Sequence, residues 1–459
     1  MTIENQPQSP PISGRKTTRR TFLRNAAIGA APLILPRSLW AGNHTPSERV
    51  TMGLIGMGKM ANGMTKQFLY STQVLAVCDV DTTRRLHAKK TVDDFYKNNP
   101  KKGAPGCTAY SDFQDLLARD DIDAVYIATP DHWHTIITLA ALRAGKDVYC
   151  EKPLTHNIAE AVAVMKEVDK QKRILQTGSM QRSSSEFRVA CELVRNGLIG
   201  KLDRVECSFG NPGIPYNLPE EPIEPGLDWN FWIGPAPVKP YNSRVCPRGI
   251  KFDFWAHWRD YREFGGGGLA DMGAHQLDIT QWALDMDHSG PTSVIPPDQP
   301  NAKRGTQLVY DNGVRVIHKD GFMVHAFGSH GQVAVNRGQI WFSRNGKTIA
   351  KFTKPQDGGS LGSKLALIES DHLKNAPIRL RRPHNSHVGD FLASVKSRKK
   401  PITHEQIGAR SAICCHLMNL AYFHHQKIQW DPKNCTFAKG SGDPAWLTRD
   451  YRDYRKAMA

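Results

Sequence analysis

The chain runs to 459 residues, 40% hydrophobic and 23% charged, with a formal net charge of +17. That is the composition of a soluble globular protein, at a length where two domains are expected, and no apolar run reaches the ~18 residues of a membrane-spanning helix. Six Lys/Arg and one Glu fall in the first 42 residues, which leaves +12 for the remainder. No nucleic-acid-binding motif accompanies this charge, so it reads as a solvated basic surface, with anionic partners such as acidic polysaccharides as the alternative.

The amino terminus reads as an address. Thr18-Arg19-Arg20-Thr21-Phe22-Leu23-Arg24 precedes the weakly apolar stretch Ala26 to Leu35. A twin arginine followed by Phe-Leu and an apolar run is the pattern of a twin-arginine export signal. Residues 1–42 are therefore expected to be a signal peptide and the mature protein to be periplasmic or otherwise exported. Free nicotinamide nucleotide is scarce there, so a nucleotide cofactor is expected to stay bound through turnover.

A nucleotide-binding domain is expected over residues 48–180. Val50 to Ile55 is a strand-like run that feeds into Gly56-Met57-Gly58-Lys59-Met60-Ala61. The two glycines permit a tight turn and close backbone approach, and Ala61 is small enough for helix–strand contact. A pyrophosphate is expected on the amides of the following helix, which makes Gly56, Gly58, Lys59, Met60 and Ala61 cofactor-binding candidates. A second strand, Val74 to Asp79, ends in an acid about 20 residues on, the position that binds the ribose hydroxyls. Asp79 favours NAD over NADP; Arg84 and Arg85 soften that preference, so NADP stays open.

Ala124 to Ala128 reads as a buried strand ending at Thr129-Pro130, followed by a helix over residues 134–144 that Gly145 stops. Asp147-Val148-Tyr149-Cys150 is the next strand, with Glu151-Lys152-Pro153 at its carboxyl end. Ligands bind at the carboxyl ends of parallel strands, so Lys152 is aimed at the cofactor face. Thr129, Pro130, His134, Glu151 and Lys152 join the cofactor-binding candidates. His132 and His134 lack a third ligand at suitable spacing, so no metal is expected. Nine cysteines, an odd number without repeated CxxC spacing, suggest buried thiols rather than a disulfide framework.

A substrate and oligomerisation domain is expected over residues 181–440, with a tail over 441–459. A helix from Phe187 to Asn196 leads to the strand Asp203 to Phe209. A proline-rich excursion, Pro212 to Pro240, carries Trp229, Phe231 and Trp232. Phe252 to Tyr261 then leads into four glycines, 265–268. Gln181, Arg182 and Trp258 are substrate-side candidates, and most of the tryptophans are expected to pack rather than touch substrate.

A helix is expected from Leu269 to Met286, with Leu269, Met272, Ile279, Ala283 and Met286 on its core stripe. Asp271, His275 and Asp278 share the neighbouring stripe, at the margin of the buried face. The i,i+4 spacing lets the Asp271 carboxylate reach the His275 imidazole, fix its tautomer and leave the other nitrogen to take a hydroxyl proton. Strands at Gln307–Tyr310, Val314–His318, Val324–Phe327, Val333–Val335 and Gln339–Ser343 suggest a mainly antiparallel sheet. Gly358 to Lys374 reads as a surface loop, and Gln406 to Tyr422 as a final helix packing back across the molecule.

From about residue 48 to the end the chain resembles the glucose–fructose oxidoreductase / inositol dehydrogenase / MocA family. The segments that carry the likeness are Ala128 to His134, Ala144 to Leu154 and Gly267 to His275; Trp229 to Pro235 is similar to an exported bacterial subgroup. The resemblance implies an α/β fold: a Rossmann domain followed by an α+β domain with an open, mainly antiparallel sheet, in dimers or tetramers. It implies Lys152, Asp271 and His275 as catalytic and substrate-binding residues, with Lys152 easing deprotonation of a substrate hydroxyl, His275 as acid/base and Asp271 as its partner. The function it implies is NAD(P)-dependent oxidation or reduction of a secondary hydroxyl on a small-molecule sugar, cyclitol or glycoside. One rival is an NAD-dependent glycoside hydrolase that oxidises C3 transiently and eliminates the aglycone, although that branch does not characteristically keep Glu-Lys-Pro. The other is a sugar-binding protein with NAD as a relic, against which the retention of all three residues argues.

Overall fold

The computed structural model describes residues 49–250 and 252–454. The twin-arginine segment lies outside the described residues. No helix among the described residues is long and apolar enough to cross a membrane.

The first sheet is built from β1 (Thr51–Ile55), β2 (Gln73–Cys78), β3 (Thr108–Tyr110), β4 (Ala124–Ile127), β5 (Asp147–Cys150) and β6 (Leu175–Thr177). Its order is β3-β2-β1-β4-β5-β6 and every pairing is parallel. Strands β4 and β5 are buried at every position, as parallel strands covered on both faces must be. The crossovers include α1 (Lys59–Ser71), α2 (Thr82–Asn98), α3 (Phe113–Leu117), α4 (Asp131–Arg143) and α5 (Ile158–Gln171). Asp81 starts α2 by accepting from the Thr83 and Arg84 amides, and Asn157 starts α5 through the Glu160 amide.

After α6 (Ser185–Arg195) the chain enters the second sheet at β7 (Leu202–Cys207), then leaves it for a long excursion containing α7 (Trp229–Ile233). It returns through α8 (Gly267–Ala283), which ends earlier than the sequence pattern predicts and begins inside the glycine run. Gly267 has φ +75°, and a Cβ there would come within 2.6 Å of backbone atoms of residues 211–213. Glycines therefore let the start of α8 lie directly on the chain leaving β7.

Strands β8 (Ser293–Ile295), β9 (Gln307–Val309), β10 (Arg315–His318), β11 (Val324–Gly328), β12 (Gly331–Asn336), β13 (Gln339–Arg344) and β14 (Lys347–Phe352) follow. After α9 (Leu361–Asp371), α10 (His387–Ser397) and α11 (Glu405–His424) come β15 (Ile428–Asp431) and β16 (Thr436–Phe437). The sheet order is β14-β13-β12-β11-β7-β10-β9-β8-β15-β16, antiparallel except where β10 runs parallel to β7.

Two expectations need correction. The segment read as a surface loop contains α9, which Ser360 caps through the Ser363 amide and which rests on the core through buried Leu365 and Ile368, with Leu361 half-buried beside them. Helix α8 has no exposed stripe with Asp271, His275 and Asp278 at its margin: it is buried nearly all round, which puts all three side chains in the interior. All nine cysteines are buried thiols.

Candidate active site

The carboxyl ends of β1, β2, β4 and β5 open onto a cleft with about 1100 Å3 of empty space. Its floor is the glycine loop between β1 and α1. Gly56 has φ +84°, and a Cβ there would strike the Thr129 amide and the Ala128 carbonyl, so only glycine lets β1 and β4 meet that closely. A Cβ on Gly58 would meet nothing within 4 Å. Gly56, Gly58, Lys59, Met60, Thr129, Pro130 and His134 line the cleft; Ala61 instead sits wholly buried in the core, off the cleft.

Asp79, at the end of β2, also lines the cleft. Its carboxylate accepts from the amides of Met57 (2.7 Å) and Asp81 (2.9 Å), clamping the glycine loop to the β2–α2 turn. Burial raises its pKa against the pull of the Arg84 guanidinium. Arg84 lines the cleft too, but it donates to the Pro247 carbonyl (2.5 Å) and pairs with Asp81 at 3.5 Å.

That contact belongs to a strap the sequence did not reveal. The Thr82 amide donates to the Gly226 carbonyl (2.9 Å), the Asp228 amide to Val80, and Lys59 Nζ to the Phe254 carbonyl (2.6 Å). Residues 226–250 and 252–259 thus run from the ribose end of the cleft across its mouth, and Phe231, Trp232, Cys246, Phe254 and Trp258 line it. Trp229 and Trp232 stack on each other at 4.7 Å, so the tryptophans serve chiefly as packing for the strap.

At the end of β5, Glu151 and Lys152 reach the same cleft. Burial pushes the Glu151 carboxyl up to about 7, with Lys152 pulling the other way; Oε1 accepts from Tyr126 (3.1 Å), and Oε2 is buried without a partner. His134 spans from the Thr129 carbonyl (2.9 Å) to the Pro153 carbonyl (2.7 Å), and burial lowers it to about 4. A neutral ring carries one N–H, so it donates to one of the two carbonyls.

Lys152 Nζ donates to the Asp271 carboxylate (2.7 Å) and to the Asp271 backbone carbonyl (2.9 Å). The same Oδ1 accepts from Arg259 Nε at 2.9 Å. Although burial opposes it, these two cations hold Asp271 well below the usual carboxylate range. The expected Asp271–His275 pair does not form. The i,i+4 spacing permits it, but two cations outcompete a neutral imidazole for one buried carboxylate. Burial, reinforced by Lys152 and Arg337, drives the His275 pKa well down, and its Nδ1 is buried without a partner.

Arg259 was not among the sequence candidates, and neither was Asp131, which lines the cleft at 2% exposure and whose carboxyl pKa is pushed well up by burial and by the neighbouring Asp271. Arg259 lies on the Trp258 ring at 4.3 Å; its place between two tryptophans and the glycine run was the one available signal. Two substrate-side candidates are corrected. Arg182 is buried in a clamp, with Nε on Asp278 at 2.9 Å and both terminal nitrogens on Asp287 at 2.7–2.8 Å, and is committed to structure. Gln181 lies off the cleft, where Arg337 donates to its Oε1 (3.2 Å).

The residues present fit a dinucleotide. The glycine loop leaves open space where a Cβ would stand, an acid lies at the ribose position, and the buried Thr129 Oγ1 and Glu151 Oε2 wait unpartnered on the cleft wall.

Comparison with known proteins agrees. Residues 50–179 match the Gfo/Idh/MocA description "oxidoreductase family, NAD-binding Rossmann fold", and residues 208–334 match that family's C-terminal alpha/beta domain. A glycosyl hydrolase family 109 protein of Saccharopolyspora erythraea is 31% identical over 213 residues, 43% of this chain and 46% of that protein. An inositol 2-dehydrogenase of Rhodococcus jostii is 35% identical over 128 residues, 27% of this chain and 35% of that protein. The chain thus spans less than half the length of these curated relatives. The WlbA dehydrogenase of Bordetella pertussis, solved with NADH and UDP-GlcNAcA, superposes with a TM-score of 0.55 at 16% identity, covering 83% of this chain and 98% of that one. At that identity the likeness is one of fold.

Proposed function

Because the chain belongs to the Gfo/Idh/MocA oxidoreductase family, we propose that it oxidises and reduces a secondary hydroxyl of a sugar, cyclitol or glycoside with a tightly held NAD. The observation that carries the reading is Lys152, which closes the nucleotide cleft from the end of β5 and is anchored on Asp271 from the other domain's helix.

An ammonium has three donors, and Asp271 occupies two of those on Lys152, so one remains for a substrate hydroxyl. Held there, the hydroxyl is polarised by the lysine charge and its proton is easier to remove. His275 is kept neutral by burial and by Lys152, and its imidazole is the group to which that proton goes. Asp271, kept ionised, fixes Lys152 and Arg259 and takes no proton itself. Bound NAD supplies the acceptor for the hydride leaving the carbinol carbon. The Asp79 carboxylate in the ribose position supports NAD over NADP, and the committed Arg84 leaves little for a 2′-phosphate.

The strap formed by residues 226–250 and 252–259 supports a cofactor retained through turnover. Retention also suits export by the twin-arginine route to the periplasm, which the Thr18 to Leu35 segment suggests. The likeness to a glycosyl hydrolase family 109 protein favours a second reading, in which the same residues oxidise reversibly while an aglycone leaves.

The test uses purified protein carrying its own nucleotide, offered free sugars, inositols and glycosides. Persistent nicotinamide reduction with a keto product is expected. Free aglycone over many turnovers with little net reduction would replace this reading with the hydrolase, and no response to any alcohol would end both.

A further inference from the structure

Beyond Lys152, on the side of α8 that faces the β12–β13 turn, lies a second cavity of about 670 Å3, open to solvent. Met272 and Gln276 of α8 form one wall, and Asn336, Arg337 and Gln339 form another. Three side chains buried to nine-tenths or more leave polar atoms unpartnered in this region: His275 Nδ1, Gln276 Oε1 and Gln181 Nε2. Buried polar groups are nearly always hydrogen-bonded, so a cluster of exceptions calls for an unseen partner.

Arg337 is the charged member of the set. Its Nε and one terminal nitrogen donate to Gln181 Oε1 at 3.3 and 3.2 Å, which aligns the guanidinium, and no carboxylate pairs with it among the described residues. The other arginines nearby are committed, Arg259 to Asp271 and Arg182 to Asp278 and Asp287. The amide side chains beside Arg337 are satisfied by protein partners: Asn336 takes the Met323 amide and donates to Gln339, and Gln339 donates to the Thr353 carbonyl. The wall therefore presents a guanidinium that no carboxylate pairs with among the described residues, the Glu186 carboxylate at the same turn accepting from the Gly338 amide instead, next to the imidazole assigned to the reacting hydroxyl.

We propose that this cavity receives a carboxylate carried by the substrate, so that the enzyme acts on acid sugars, with Arg337 as the residue that selects them. The inference rests on the proposed function, since it places the carbinol between Lys152 and His275. The flat two-oxygen carboxylate matches the guanidinium fork that Gln181 aligns, while Gln276 Oε1 on the facing wall takes a hydroxyl of the same ring. The charge of +12 beyond residue 42 would draw such substrates in.

The test offers the nucleotide-bearing protein matched pairs: glucose and glucuronate, galactose and galacturonate, with glucose 6-phosphate as a third arm. The uronates are expected to exceed their parent sugars about tenfold or more in kcat/KM, with a preference that shrinks as salt rises. Arg337→Gln is expected to collapse the preference chiefly through KM, and Arg337→Lys to restore part of it. A preference for neutral sugars, a stronger response to the phosphate, or a uronate preference that survives Arg337→Gln would overturn the proposal while leaving the proposed function in place. Should Arg337→Gln lose its nucleotide, Arg337→Lys and the salt series on the parent protein decide the matter. If no sugar reduces the nucleotide, the proposed function fails, and calorimetric titration with glucuronate decides separately: binding that Arg337→Gln abolishes supports the carboxylate site, and no binding overturns it.

Discussion

The two sides of α8 follow opposite rules. Toward the nucleotide cleft, the charges of Lys152, Arg259 and Asp271 meet one another within 2.9 Å, and behind them Arg182 is gripped by Asp278 and Asp287. Toward the β12–β13 turn, His275, Gln181 and Gln276 leave buried atoms unpaired, and Arg337 forms no ion pair among the described residues. A closed ionic network costs desolvation but holds its members in one geometry. Unpaired polar groups carry that cost without return until something binds. The first side is built to stay as it is, and the second to be completed.

The largest expected break comes from Asp271→Asn, which strips two cations of their shared counter-charge. Substrate-dependent nicotinamide reduction should fall about 100-fold or more in kcat/KM; a loss of only a few-fold would mean that the network does not hold Lys152 in place. Arg182→Met tests the structural part of the same side. It leaves Asp278 and Asp287 without their arginine, and denaturant unfolding should show a loss of about 3–5 kcal/mol. An unchanged unfolding midpoint would show the clamp to be dispensable. At the far end of the cleft, Asp79→Ser should raise NADP binding relative to NAD about tenfold, measured by titration of nucleotide-stripped protein; an unchanged ratio removes Asp79 from the ribose site.

The smallest effect is a slope. Glu151 ordinarily titrates near 4.5 and is raised to about 7 in the folded protein, where Oε2 is buried without a partner. Between those values the folded state holds a proton that the unfolded chain has released, so unfolding free energy falls as pH rises through that window. Glu151→Gln should flatten that decline, read as the difference between urea midpoints at about pH 5 and about pH 7.5. A decline as steep as the parent's would assign it to other groups.

Much of the first sheet and its cleft was legible because each signal is local. Gly56 and Gly58 follow a strand directly, Asp79 closes the next strand, and Lys152 follows β5 by two residues, so strand direction alone carries them to one edge. Helix α9 was missed because Gly358-Gly359-Ser360 reads as a turn and only Leu365 and Ile368 of the helix are buried, too short a stripe to register as periodicity. The Asp271–His275 pair was misread for a different reason. Spacing on a helix says which groups can touch, and says nothing of the competitors that folding brings from elsewhere.

By itself, then, the sequence determined the nucleotide loop, the acid after β2, the lysine after β5 and the placement of Asp271 and His275 on one helix, all through short-range periodicity and strand-end geometry. Tertiary structure alone decided which partners those groups have. Lys152 comes to Asp271 from another domain's sheet, Arg259 arrives on the strap, and Arg337 arrives on a hairpin. In a buried site an ionised group takes the counter-charge that best offsets its lost hydration, and that choice depends on every charge the fold assembles.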